Sequence, residues 1–358
     1  MNNNYTPQNG APQTPPPFFI KPQKKSYTWA WVTAAVVLVF LFLIFGVIIA
    51  AIIGGSSGDE PNNEFVAPSN DFVAVIPIQG TIASSSEVSL FNSTGAIYNH
   101  QYVLQTIENL KASETNKGIM LFINSPGGEI YAVDEVYLAL EEYKSETGRP
   151  IYAYCAAYAA SGGYYLAATA EHISSNRMGT LGSIGVTYGT HLDISGLLEK
   201  YGISATAITS GDNKAMGDIT QPLTEEQLKI YQSQIDEYYE VFVDVVDKGR
   251  ATLNRAEVYK LADGRTYTAR QALEAGLIDA ICDYETAVST MIENCGLDKN
   301  IKFVNYEYVY TADYADIMQL FGESLSSSAG VEIDPADLSL FANVRYSLKG
   351  ALVYYNGK

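Results

Sequence analysis

The chain has 358 residues, 47% of them apolar, and a formal net charge of −18. That apolar share is enough to bury one large core or two modest ones, and the acidic balance without clustered Lys and Arg excludes nucleic acid as a partner. The three cysteines, Cys155, Cys282 and Cys295, show neither CxxC nor CxxxxC spacing. Neither a zinc site nor a disulfide framework is therefore indicated, and no metal or other cofactor is expected.

The N-terminus has two parts of opposite character. Residues 1–28 open with a stretch rich in Asn, Gln and Pro, which cannot bury enough apolar surface to order itself and reads as a disordered cytoplasmic segment. Residues 29–53 are almost wholly apolar, and a bilayer-spanning helix needs roughly 20 such residues whereas a cleavable signal core has about 7 to 15. The expected element is one transmembrane helix, the rival being a long signal peptide cut near Ala50-Ala51 or Gly54-Gly55. Lys21, Lys24 and Lys25 precede this stretch and Asp59, Glu60 and Glu64 follow it, which puts the N-terminus in the cytoplasm and the rest outside the cell membrane. Trp29 and Trp31 fit the cytoplasmic aromatic belt, and residues 54–70, rich in Gly, Ser, Pro and Asn, read as a linker.

From Asp71 strand-like and helix-like segments alternate. Phe72 to Ile78 is a β-branched run, Tyr102 to Leu110 sets Val103, Leu104, Ile107 and Leu110 on one helical face, and Gly118 to Ile123 reads as a strand buried on both faces. Val133, Val136, Tyr137 and Leu140 give the next helical stripe, Ile151 to Cys155 the next strand, and Ser161 to Ala170 the helix after it. This is the pattern of βα units on a mostly parallel sheet, so the fold class is α/β, with one catalytic domain over 71–300 and a C-terminal extension over 301–358. Thr224 to Gln227 fits a capping box, opening a long amphipathic helix through Leu228, Tyr231, Ile235, Phe242 and Val246 that serves as core or subunit contact. Tyrosines alternate with polar residues in NYEYVYTADY after Ile301, as in an exposed strand or an interface.

Two strand-to-helix turns carry candidate chemistry. Ser161 lies in Ala159-Ala160-Ser161-Gly162-Gly163-Tyr164, and Asn124-Ser125-Pro126-Gly127-Gly128 closes the earlier turn. Acyl transfer builds negative charge on a carbonyl oxygen, and amides fixed in advance around it lower the barrier. Gly128 and Gly162 can each supply one, because glycine presents no side chain to the substrate. Ser161 at a helix N-terminus would gain from the dipole as well. Either turn alone reads more simply as an ordinary tight turn. None of the three histidines, His100, His172 and His191, lies in a glycine-rich stretch, so a base for Ser161 must be another residue; His172 reads as a strand-edge residue. Lys214, in the polar loop Ser210 to Asp218, is the candidate. A lysine titrates at about 10.4 in water, but desolvation lowers this by several units, and a neutral amine can then act as base.

The order NSPGG at Asn124 to Gly128, AASGGYY at Ala159 to Tyr165, MGTLGSIGV at Met178 to Val186 and SGDNKAMGD at Ser210 to Asp218 resembles bacterial signal peptide peptidase A of the short, single-domain kind. YTARQALEAGLID at Tyr267 to Asp279 looks like the stretch that closes the family's catalytic core. The resemblance implies a Clp protease/crotonase-like spiral of ββα units and a membrane-anchored serine endopeptidase for hydrophobic peptides, the remnant signal peptides. It implies Ser161 as nucleophile, Lys214 as general base, Gly128 and Gly162 as oxyanion hole, and Ser183 as the residue that orients the lysine amine. It also implies a ring-like homo-oligomer, an octamer.

Phe122 departs from the pattern, standing where many members have arginine, which bears on packing more than on chemistry. The apolar-aromatic tail Ala351-Leu352-Val353-Tyr354-Tyr355 resembles a substrate, and is expected to occupy its own or a neighbouring active site and to be trimmed there. Two other functions share these features: a crotonase-type acyl-thioester enzyme, whose fold uses the same glycine amides, and a membrane-tethered scaffold with a vestigial site.

Overall fold

The computed structural model describes residues 63–85, 98–309 and the short strand Tyr354–Tyr355. The expected cytoplasmic segment and the anchor at 29–53 lie outside these residues; among those described, no helix is long and apolar enough to cross a membrane.

The described residues form a mixed α/β sheet of nine strands: β1 (Phe72–Gln79), β2 (Asn116–Ser125), β3 (Ile151–Ala160), β4 (His172–Ser175), β5 (Thr180–Gly182), β6 (Thr266–Thr268), β7 (Ala280–Ile281), β8 (Lys302–Asn305) and β9 (Tyr354–Tyr355). Its main order is β6-β5-β3-β2-β1-β8-β9. The β1, β2 and β3 pairings are parallel, and only the β5–β6 and β8–β9 pairs run antiparallel. One edge of β3 is shared: Tyr152 to Cys155 pair with β4, and Tyr158 to Ala160 pair with β5. That division carries the end of β3 beyond β4, and Ser161 follows at its tip.

The crossovers are α1 (His100–Ala112), between β1 and β2, and α2 (Ile130–Thr147), between β2 and β3; α3 (Gly162–Ala167) follows β3. Both faces of the central strands are covered, which explains their continuous apolar runs. Phe72, Ala74, Ile76, Ile119, Leu121 and Ile151 join the larger core. Val73, Val75, Met120, Tyr152 and Tyr154 face the second one, packed with Met291 of α8 (Tyr284–Asn294). Phe122 lies against this second cluster, its ring 5.8 Å from Tyr154 and 5.6 Å from Tyr284. The region between β5 and β6 holds α4 (Ser195–Lys200), α5 (Glu225–Gly249) and α6 (Arg255–Leu261), and α7 (Ala269–Glu274) follows β6.

The helix expected over Ser161 to Ala170 is shorter, because the chain turns at Ala168 toward β4. The capping box at Thr224 is present, and α5 is buried only in its second half, at Phe242, Val243, Val245 and Val246. The strand foreseen in NYEYVYTADY comes a few residues earlier, as β8, which pairs with β1. Tyr306 is buried there instead of exposed, stacked on Phe65 at 4.9 Å, because the parallel addition of β8 draws the following residue under the sheet's edge. Most of the tail lies outside the described residues. Its described strand, Tyr354–Tyr355, pairs antiparallel with β8.

Candidate active site

Ser161 occupies a strained turn between β3 and α3, with φ 52° and ψ −123°. Such a backbone is sparsely populated for residues with a Cβ and costs about 1–3 kcal/mol, sustained only where its surroundings enforce it. Here the enforcement is explicit. The Ser161 amide donates to the Gly182 carbonyl at 2.8 Å, and the Ser161 carbonyl accepts from the amides of Tyr164 and Tyr165 at 2.9 Å. The Ser161 side chain makes no capping hydrogen bond to the helix, which leaves its hydroxyl free in a half-buried position. A sharp strand-to-helix turn that lifts a serine hydroxyl out of the chain is the geometry of a nucleophile elbow.

The neighbouring turn is built by Asn124 and Ser125. At the irregularity where β2 and β3 lose register, Asn124 Oδ1 accepts from the Tyr158 amide at 3.2 Å. Buried Ser125 Oγ donates to the Gly80 carbonyl at 2.6 Å and accepts from the Gly127 amide at 3.1 Å. The two turns then touch. A Cβ on Gly127 would lie 2.7 Å from the Gly162 nitrogen and 2.8 Å from Ser161 Cβ, and one on Gly162 would lie 3.4 Å from the Gly128 nitrogen. Glycine is required at Gly127 both for this approach and for its φ of 103°.

Among the described residues, the amides of Gly128 and Gly162 donate to no acceptor. Both are oriented through the far ends of their own peptide planes, since a trans peptide points its N–H away from its C=O. The Gly127 carbonyl is held by the Ile82 amide at 2.9 Å, and the Ser161 carbonyl by the first turn of α3. Two oriented, unoccupied donors beside a free hydroxyl can stabilise an oxyanion formed on a carbonyl that Ser161 attacks.

The remaining expected site residues divide. Ser183 follows Gly182, whose carbonyl holds Ser161; it has φ 50° and its amide donates to the Arg265 carbonyl at 2.8 Å. Lys214 sits in a surface turn, its amide on the Gly211 carbonyl at 3.1 Å. It is exposed, no hydrogen bond joins it to Ser161 or Ser183, and no residue from Thr187 to Lys214 is buried. The fold therefore brings Ser161, Gly128, Gly162 and Ser183 together within one chain, with Lys214 exposed and hydrogen-bonded to none of them.

Two of the three histidines are placed away from Ser161 or already engaged. His100 is buried and engaged at both nitrogens, with Tyr98 Oη at 2.8 Å and Glu135 Oε2 at 2.7 Å. His172 opens β4 opposite Tyr152, nine residues before Ser161, which at about 3.3 Å per residue is on the order of 25–30 Å away. His191 is exposed in the long irregular segment before α4. Sequence reasoning missed Ser84 and Glu129, whose contact across 45 positions bears on the Gly128 turn and leaves no local signal.

Comparison with known proteins agrees with this geometry. A family model for Peptidase family S49 matches residues 143–298, and one for Clp protease matches residues 76–181. The chain is 33% identical over 291 residues to the protein named "Putative signal peptide peptidase SppA" of Enterococcus faecium, spanning 81% of this chain and 82% of that one. It is 29% identical over 219 residues to "Protease 4" of Haemophilus influenzae, 61% of this chain and 34% of the relative. It is also 28% identical over 262 residues to "Serine protease SPPA, chloroplastic" of Arabidopsis thaliana, 71% of this chain and 37% of the relative. These are protease names, which favours peptide hydrolysis over acyl-thioester chemistry or a scaffold. With a third of the residues shared over four fifths of both chains, and both family models running through the Ser161 turn, the chain belongs to peptidase family S49, the family of signal peptide peptidase A.

Proposed function

We propose that this serine peptidase uses a Ser161/Lys214 dyad to cleave remnant signal peptides and other apolar peptides at the outer face of the cell membrane, held there by the 29–53 anchor. The observation that carries the reading is the strained Ser161 elbow beside the free amides of Gly128 and Gly162. In the reaction the neutral Lys214 amine takes the Ser161 hydroxyl proton as Oγ bonds to the scissile carbonyl carbon. The carbonyl oxygen becomes an oxyanion between the two glycine amides. Collapse breaks the C–N bond, and the Lys214 ammonium returns its proton to the leaving amine. Water, deprotonated by Lys214, then hydrolyses the Ser161 ester.

Ser183 is the residue proposed to orient the amine, since it stands one position beyond the carbonyl that holds Ser161. A lysine base also needs a dry environment, and the single chain leaves Lys214 in water. Packing of further copies in a ring, an octamer by family resemblance, supplies the cover. The segment around Lys214 exposes apolar side chains suited to that contact, with Ile208 at 96%, Tyr201 at 70% and Leu192 at 59% exposure.

The test is hydrolysis of an apolar, internally quenched peptide by the full chain in detergent, comparing wild type, Ser161→Ala and Lys214→Ala across pH. Both variants should lose at least ~1000-fold in turnover, and wild-type activity should rise with pH as the base loses its proton. Retained turnover in Lys214→Ala would sink the dyad.

A further inference from the structure

The Gly128 amide is aimed by a strap, the segment from Gly80 to Ser84, that reaches the Gly127–Gly128 turn from the end of β1. Gly80 begins it, its amide donating to the Asn124 carbonyl at 3.0 Å and its carbonyl accepting from Ser125 Oγ at 2.6 Å. Ile82 follows in a parallel bridge with Gly128: its amide donates to the Gly127 carbonyl at 2.9 Å, and its carbonyl accepts from the Glu129 amide at 2.8 Å. The approach is so close that a Cβ on Gly128 would fall 1.8 Å from the Ile82 carbonyl oxygen. Because the Gly127 carbonyl and the Gly128 N–H belong to one planar peptide, the Ile82 bond decides where that N–H points.

The far end of the strap is held by Glu129. Its Oε2 accepts both the Ser84 amide at 2.8 Å and the Ser84 hydroxyl at 2.7 Å. Glu129 is the N-cap residue of α2, where a carboxylate ordinarily accepts from the first helical amides. It makes no such bond, and both its contacts reach back across 45 residues to Ser84. These bonds to the Ser84 amide, then its hydroxyl, hold the Glu129 carboxyl below the ordinary carboxylate range.

We infer that Glu129 is a positioning residue for the oxyanion hole: by gripping Ser84 it locks the strap onto the Gly127–Gly128 peptide and keeps the Gly128 N–H aimed at the developing oxyanion. Glu129 touches no reacting atom in this role. The inference rests on the Ser161 peptidase reading and extends it to a residue outside the dyad and the donor pair.

The experiment uses the full chain in detergent and three readouts: kcat and KM on the quenched apolar peptide, the inhibition constant of a peptide boronate, and a thermal melt. A boronate forms a tetrahedral adduct on serine and reports the oxyanion hole directly. Glu129→Ala should lower kcat by roughly 10- to 100-fold with KM within about twofold, and weaken the boronate in parallel, as expected when a donor to the transition state loses its aim. Glu129→Gln, whose amide oxygen can accept the same two bonds, should recover most of the loss. Ser84→Ala, which keeps the Ser84 amide, should fall between wild type and Glu129→Ala. A folded Glu129→Ala protein with wild-type kcat and boronate affinity overturns the assignment, as does a rise in KM alone. If Glu129→Ala fails to fold, Ser84→Ala decides, and unchanged boronate affinity there overturns it equally. A wild-type chain that neither cleaves peptide nor binds boronate through Ser161 brings down the peptidase reading itself, and this assignment with it.

Discussion

Ser161 and Ser183, the two non-glycine residues with positive φ among those described, are joined through a single hydrogen bond, from the Ser161 amide to the carbonyl of Gly182 at 2.8 Å. The strain at the proposed nucleophile and the strain at the residue proposed to orient its base thus share one support, the end of β5.

Gly182→Ala tests that support. Gly182 has φ 87°, and a Cβ there would lie 2.6 Å from the Tyr267 ring, so alanine must displace both the ring and the carbonyl that holds Ser161. The strain amounts to about 1–3 kcal/mol, and turnover should fall at least ~10-fold alongside a lowered Tm. Calorimetry together with peptide hydrolysis reads both effects. Wild-type turnover in this variant would show that the Gly182 carbonyl does not set the Ser161 geometry.

Close packing around the second donor makes a reciprocal prediction. A Cβ on Gly162 would come within 2.4 Å of Val133 Cγ2, a side-chain atom of α2. Gly162→Ala should therefore abolish most activity, and adding Val133→Ala should restore part of it despite the loss of a few methyl contacts costing on the order of 1–2 kcal/mol. If the double variant is no more active than the single one, the clash with Val133 is not what the glycine avoids.

An ion pair between buried Arg250 and partly exposed Asp279 sets an acid limit on stability. Arg250 is 4% exposed, and its guanidinium donates to both oxygens of Asp279 at 2.9 and 2.7 Å, while the Ile173 amide adds a bond of 2.7 Å. Burial pushes the Asp279 carboxyl up, but Arg250 and the Ile173 amide outweigh it and leave it below the ordinary value. A carboxylate lowered on folding contributes stability that is present above its unfolded value near 4 and is lost as pH falls through the folded value. Asp279→Asn should destabilise by about 1–3 kcal/mol at neutral pH by leaving the Arg250 guanidinium with only neutral acceptors, and should flatten the decline of Tm below about pH 4. Melts of both proteins across the acid range check this, and parallel curves would refute it.

The proposed cover over Lys214 predicts linked losses. Ile208→Asp and Tyr201→Asp place a charge on exposed apolar positions, so the isolated fold should keep its Tm within about 1 °C-scale scatter while self-association weakens. Light scattering should show smaller particles and specific activity should fall with them. Full activity in a dispersed variant would remove the oligomer from the mechanism.

The β-branched run of β1, the glycine turns after β2 and β3 and the capping box at Thr224 were legible because each is written within a few neighbouring residues. Ser161 could be singled out for the same reason: a serine among alanines and glycines after a strand is a local pattern. The burial of Tyr306 and the grip of Glu129 on Ser84 were not legible. Each depends on a partner far along the chain, β1 in the first case and a segment 45 residues upstream in the second.

By itself the sequence determined the alternation of strands and helices and the residue types at the two turns, because propensity and turn chemistry act over one or two turns of chain. Only the tertiary structure decided that β3 is shared between β4 and β5, that the Gly127 and Ser161 turns touch, and that the amides of Gly128 and Gly162 have no acceptor among the described residues. Strand pairing and the direction of a peptide plane are set by contacts between segments that meet only when the sheet closes. Lys214 marks the same boundary from the other side: its residue type is local, whereas the dry environment that its proposed role requires is not present in the single chain, where it is exposed.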